Sequence, residues 1–301
     1  MTDKTSRPAA RLAVLMVAVV AVGFSTGCGS QNEGTEAAGD AKKLAARARQ
    51  VAAAWDGSTA AAAWRAGYHP MGDVVQLPRG GLKSPADKQA YAEQSFILRS
   101  KLPATRPADG RVAWNEGTAL TRPLLGADEA YKTLSGDHAG ESPHLTVTDA
   151  KLGEMVLATS RGPATVPAWL FTLAGYDSPL KRAAAVPSKL PQPPIKRRVG
   201  GPGFPLSSVS YIASDGRSVT VLALHGSCDE GPAVKALETR GSVVLSNSVK
   251  NPKEGVCSKD AKEEHVTVKL DQPLDDRVLL DATTGRPVPY QAGRGPTPSW
   301  S

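Results

Sequence analysis

The chain has little cysteine: three residues in 301, with no Cys-x-x-Cys pair among them. That removes the usual paired-cysteine zinc frameworks, and a site drawn from Cys228, Cys257, His225 and His265 would have to gather two histidines far apart in sequence. No Gly-Lys-Ser or Gly-Lys-Thr occurs, so the loop that cradles nucleotide phosphates is missing. Nor is there a Lys-Thr-Gly strand to accompany the Ser-x-x-Lys match at Ser178 to Lys181, which sits beside Pro179 in a turn and fits chance better than a penicillin-binding site. Long apolar runs are scarce too. Leu12 to Phe24 is uncharged but only thirteen residues long, well short of the roughly 20 that cross a bilayer as a helix.

That run is framed in a telling way. Lys4, Arg7 and Arg11 precede it, and the small residues Thr26 and Gly27 follow it, directly before Cys28. A basic segment, an apolar run and small residues, in that order, make a secretory signal. The end of it, GFSTGC, resembles the lipobox of bacterial lipoproteins, with Ser25 where leucine is usual. The resemblance implies that Cys28 is diacylated and begins the mature chain. Two acyl chains anchor stably where one binds reversibly, so the protein would stand on the outer face of the cytoplasmic membrane without crossing it. An uncleaved span and an ordinary signal peptide cut between Val22 and Gly27 are the competing readings.

The formal net charge is +7. Three basic residues and one acidic residue lie before Cys28, which leaves +5 afterwards. In an exported protein such a mild excess serves solubility or meets anionic lipid and acidic wall polymer, and the compartment argues against nucleic acid. The run Lys196, Arg197, Arg198 has no interleaved aromatic residue, and reads as solvated charge. Outside the cytoplasm, the two cysteines remaining after Cys28 read as a Cys228–Cys257 disulfide.

Residues 28–40, after the 1–27 signal, lack large apolar side chains and read as a flexible tether. Asp40 is the expected cap of a helix that places Leu44, Ala48, Val51, Ala52 and Trp55 on one face and Lys42, Lys43, Arg47, Arg49 and Gln50 largely on the other. Ser58 caps a second helix that carries Trp64 and ends at Gly67. Strands are expected around Val74–Leu77 and Arg111–Trp114, with a short helix over Ala127–Leu134 and an ambiguous stretch over Tyr91–Leu102. Leu145–Asp149, Met155–Thr159 and Trp169–Leu173 read as three short strands broken by Leu-Gly and by SRGPATVP. The proline- and glycine-rich segment 186–206 reads as a linker. Beyond it, Val219–Leu224, Val243–Val249 and Val266–Leu270 read as strands, with turns at Asp215-Gly216 and Thr284-Gly285. The expected fold is an α+β domain over 41–185, with helices packed on an antiparallel sheet, then a mainly β antiparallel sandwich-like domain over 207–290. Residues 291–301 are expected to be a disordered tail.

Polar candidates are thin. Asp137, His138, Glu141 and His144 could surround a divalent metal, but their glycines and Pro143 make an exposed turn equally natural. His225 stands three residues before Cys228, and Cys-His catalysis would need the thiol that a disulfide removes. His69, before Pro70, reads as a satisfied histidine. No cofactor, metal or catalytic residue is expected.

The lipobox, AAAWRAGYHPMGDVVQLP, TSRGPATVPAWLFTLAG, and the pattern from HGSCDEG to VTVKLDQPLDDRVLLDATTGRPV together resemble uncharacterised lipoproteins of actinobacterial type. The resemblance implies an envelope location and a two-part layout, and it brings no assigned activity. The expectation is a binding or structural protein at the envelope, with the membrane, an anionic wall polymer or an envelope protein as partner. An envelope hydrolase or transferase with an unrecognised site is the alternative.

Overall fold

A computed structural model describes residues 31–115, 117–136, 143–251 and 260–290. The protein is mainly β, with 40% of residues in strands and 17% in helices, and its several sheets are mostly antiparallel. Residues from Gly39 onward form one compact unit with two apolar cores.

Helix α1 (Gln31–Trp55) begins well before the expected cap. Asp40 lies inside it and pairs with Lys43 at 2.9 Å. The expected tether is therefore helical from Gln31; Glu33, Glu36, Ala37 and Ala38 are good helix formers, and extending an existing helix costs far less than starting one. Helix α2 (Thr59–Ala66) follows its signals closely, with Ser58 accepting from the Ala61 amide and Gly67 at its end.

The first core surrounds a seven-stranded sheet. Its members are β1 (Val75–Gln76), β2 (Phe96–Leu98), β3 (Gly110–Trp114), β4 (Ala119–Arg122), β5 (Leu145–Thr159), β6 (Gly162–Leu173) and β7 (Leu180–Ala183). The strands run in the order β1-β7-β6-β3-β4, with β5 along the other edge of β6 and β2 beside β5. Helices α3 (Pro85–Ala92) and α4 (Ala127–Lys132) bury alanines in this core. Trp169, Phe171 and Leu173 are all buried there, as a packed core requires. The Pro-Ala-Asp-Lys stretch opens α3, because Ser84 caps it and Pro85 occupies the first turn, where a missing N–H costs nothing.

The three short strands expected between Leu145 and Leu173 are instead one long hairpin, β5 and β6, turning at Ser160-Arg161. Neither Gly153 nor the prolines break it. Gly153 lies where an added Cβ would fall 2.4 Å from Leu170 Cδ1, so the strand needs its missing side chain. The second neighbour of β6 changes from β3, at Ala164 and Thr165, to β7, at Ala168 to Phe171. Pro163 and Pro167 flank these pairings, where a proline spoils no ladder bond to a second neighbour.

The second core is built on two three-stranded sheets. One has the order β10 (Pro232–Glu238), β11 (Ser242–Val249), β13 (Val278–Asp281); the other has β12 (Ala261–Lys269), β9 (Ser218–Gly226), β8 (Leu206–Ile212). α1 and α2 bury Val51, Trp55, Ala61 and Trp64 in this core rather than against the seven-stranded sheet. This corrects the expected allotment of both helices to the first domain. Leu190 and Leu206 join the same core, so the segment 186–206 is tied to the fold at these points, while Lys196, Arg197 and Val199 between them are exposed. Proline and glycine end regular structure there without preventing burial.

Arg47, expected largely on the polar face of α1, is buried. Its guanidinium donates to the carbonyls of Ala282 (2.9 Å) and Lys196 (2.6 Å), which carries the charge across the apolar face to backbone acceptors. Among the described residues, no helix is long and apolar enough to cross a membrane.

Candidate functional site

Residues Pro107 to Gly110 run past β5 and β6 and leave a cleft of about 400 Å³ against the sheet. Leu124, Leu152 and Pro167 contribute apolar wall, and Asp109 and Glu154 contribute carboxylates. Leu152 is 45% exposed, and four residues along β5, on the same face, Val156 is 58% exposed. Gly110 is fitted to the place: an added Cβ would lie 2.7 Å from Pro167 and 2.9 Å from Leu124. The arrangement presents apolar surface with negative charge beside it. It suits a ligand with an apolar face and a cation.

A second concentration of polar groups is buried between the two cores. Tyr68 and His69 leave α2, and the backbone of Tyr68 exchanges hydrogen bonds with Ser188. The His69 ring stacks on Trp64 with centroids 4.2 Å apart and planes 6° from parallel. Neither His69 nitrogen has a partner, nor do Tyr68 Oη, Ser160 Oγ, Trp64 Nε1 or one terminal nitrogen of Arg182. Burial holds His69 down to about 4, with Arg122 adding to the effect, so the ring is neutral at ordinary pH. Burial likewise raises the Tyr68 phenol and lowers Arg182 to about 10, which leaves that arginine charged at neutral pH. Its Nε donates to Thr133 Oγ1 at 3.0 Å and another nitrogen donates to the Ala183 carbonyl at 2.7 Å. These groups hold segments together, but none is a nucleophile hydrogen-bonded to a base.

The other candidates separate. Ser178 accepts from the Arg79 amide at 2.7 Å, while Lys181 sits on β7, so this pair is not one turn apart on a helix. His225 is buried, with Nε2 3.1 Å from Glu264 Oε1, yet the ring is not aligned to form a hydrogen bond there. His265 faces the opposite side of the same sheet: it pairs with Leu222, one strand position out of phase with His225. A shared metal site for the two histidines is thereby removed. His265 Nδ1 contacts Ser210 Oγ at 3.2 Å, a pair that sequence reasoning missed because β8 and β12 are distant in the chain. The Ser210 hydroxyl gives its proton to the Thr220 carbonyl, so it accepts from His265 and is not activated by it.

Asp137, His138 and Glu141 lie outside the described residues; His144 is described and partly buried. Among the described residues no group of three or more His, Cys, Asp or Glu side chains could hold a metal. Cys228, in the turn after β9, is disulfide-bonded. Cys257 and Cys28 lie outside the described residues. So does Gly23 to Gly27, the Gly-x-Ser-x-Gly arrangement of a nucleophile elbow, which falls within the signal-like segment.

No protein-family model, curated protein or solved structure matches this chain.

Proposed function

We propose that this is a lipoprotein anchored through diacylated Cys28 to the outer face of the cytoplasmic membrane, with a binding or structural role at the cell envelope. The binding surface in this reading is the cleft at Asp109, Leu152 and Glu154, and its partner is an envelope protein offering an apolar and basic segment. The observation that carries it is the exposure of Leu152 and Val156 beside two carboxylates on an otherwise well-packed sheet, since exposed apolar surface rimmed by charge is characteristic of interaction sites. We read the chain as an α+β half, with α3 and α4 on the seven-stranded sheet, and a sandwich-like half, with α1 and α2 against its two small sheets. The Cys228 bridge to Cys257 belongs to the same reading.

Two measurements test it. Cells fed a fatty-acid analogue should label the protein and fail to label Cys28→Ser; equal labelling removes the anchor. Crosslinking on intact cells should co-purify a discrete partner that Leu152→Asp loses while its folding is unchanged, and retention of that partner removes the cleft from the account.

The alternative, an envelope hydrolase or transferase, would need the Ser210 hydroxyl to turn from the Thr220 carbonyl to His265 Nδ1, which lies 3.2 Å from its oxygen. Turnover of wall fragments by the purified protein, abolished in Ser210→Ala, would establish it against the binding reading.

A further inference from the structure

From residue 178 to residue 214 the chain has six basic residues and no acidic one. Two of the six, Lys181 and Arg182, belong to β7, and Lys189 follows it; the remaining three are consecutive at Lys196, Arg197 and Arg198. Directly after them stands Val199, which is 94% exposed, while Phe204 at the far end of the loop is 39% exposed. An aliphatic side chain so completely in water, next to consecutive cations, is unexplained by packing.

The loop is also pinned. On one side the Arg198 amide donates to the Thr283 carbonyl at 3.0 Å, and on the other the Phe204 amide donates to the Asn247 carbonyl at 3.3 Å. Between these points Gly200, Gly201 and Gly203 all take positive φ, from 72° to 92°, a backbone that side chains resist. Arg198 closes the turn internally through the Pro202 carbonyl. Arg47 of α1 holds the Lys196 carbonyl, and Gly203 lies so near Leu44 that an added Cβ would come within 2.8 Å of its side chain. The loop is thus fixed to the part of α1 around Leu44 and Arg47, about 16 to 19 residues from the proposed lipid-bearing cysteine.

We propose that Lys196 to Phe204 is a membrane-contact loop: Val199 and Phe204 enter the interfacial region and Lys196 and Arg197 meet anionic lipid headgroups. The proposal rests on the membrane-anchored reading, and it adds a second, peripheral contact that orients the folded part on the bilayer. Each Lys or Arg close to an anionic leaflet contributes appreciably, and a lone inserted aliphatic adds modestly, so the loop would orient an already anchored protein and not anchor it alone.

The test uses the full chain carrying Cys28→Ser and Val199→Cys, labelled with a polarity-sensitive fluorophore, with the Cys28→Ser protein as the labelling background. Because the probe sits at residue 199, vesicle binding through the apolar Leu12 to Phe24 segment does not produce the signal. On phosphatidylcholine vesicles containing about one third phosphatidylglycerol, the probe should shift to the blue and be quenched by a lipid-borne quencher. Changing Lys196 and Arg197 together to Gln should weaken that docking equilibrium about tenfold, and purely neutral vesicles should behave like the Gln variant. A probe that stays in water on anionic vesicles overturns the proposal, as does a shift indifferent to Lys196 and Arg197. Retention on soluble polyphosphate that depends on these residues, with an unshifted probe, would identify an anionic polymer as the partner instead. Failure of fatty-acid labelling at Cys28 is read separately and removes the anchor without altering the behaviour of the probe.

Discussion

His69 shows how a single residue ties composition to behaviour. Its ring fills the space over Trp64, and Gly67 has no side chain because a Cβ there would lie 2.4 Å from His69 Nε2. With a folded value near 4 and an ordinary value of 6.5, the unfolded chain takes up a proton first as pH falls. Stability is therefore complete above about pH 6.5 and declines toward pH 4, by roughly 2 to 3 kcal/mol from this residue. Urea denaturation of wild type and His69→Phe at pH 7 and pH 4.5 should show a steeper loss in the wild type. Equal losses would mean that the ring is not buried as described. Cys228 belongs to the same scale: if its partner is Cys257, the closed loop of about 30 residues should make reduction cost roughly 3 to 4 kcal/mol. Peptide mapping without reductant should recover the two cysteines in one fragment. Recovery of Cys257 as a free thiol would break the assignment.

At the scale of elements, the loop at Gly200 to Gly203 makes a graded prediction. Gly203 has φ of +92° and an added Cβ would fall 2.6 Å from the Asn247 carbonyl, whereas Gly200 has φ of +72° in open space. Gly203→Ala should destabilise by about 2 kcal/mol or more, and Gly200→Ala by about 1 kcal/mol, as thermal denaturation would show. Similar small effects at both positions would contradict the close approach. Elements with local punctuation were legible: α2 from Ser58 and Gly67, β9 from alternating Val219, Val221 and Ala223, and the turn at Asp215-Gly216, where Asp215 accepts from the Arg217 amide at 2.9 Å. Elements made by partners were not. The β10 sequence PAVKALE has helix-forming composition and becomes a strand by pairing along its whole length with β11, from Val243 to Val249. The β13 sequence VLLD is buried at every position, so it shows no alternation, and its parallel pairing with β11 is long-range. The β5–β6 hairpin was hidden by Gly153, Pro163 and Pro167, whose tolerance depends on which strand lies beside them.

For the whole molecule, the division of cores explains why the site was only partly readable. Trp64 joins one core and Tyr68, four residues later, joins the other, so α1 and α2 cannot be allotted by sequence order. The cleft likewise draws on 107–110, 124, 152–154 and 167, and no local motif marks residues that meet only when three stretches of sheet do. The cationic run Lys196 to Arg198 is visible in the sequence, but the exposure of Val199 beside it and the positive φ of Gly200, Gly201 and Gly203 are not. The central claim is that the cleft is a protein-binding surface of an envelope-anchored molecule. A photo-crosslinking amino acid placed at Leu152 in living cells, compared with one at exposed Lys235 on β10, tests it most directly. The account predicts a discrete crosslinked protein from position 152 that is absent from position 235. The same pattern from both positions, or none from 152 in cells where the protein is folded and anchored, would contradict it.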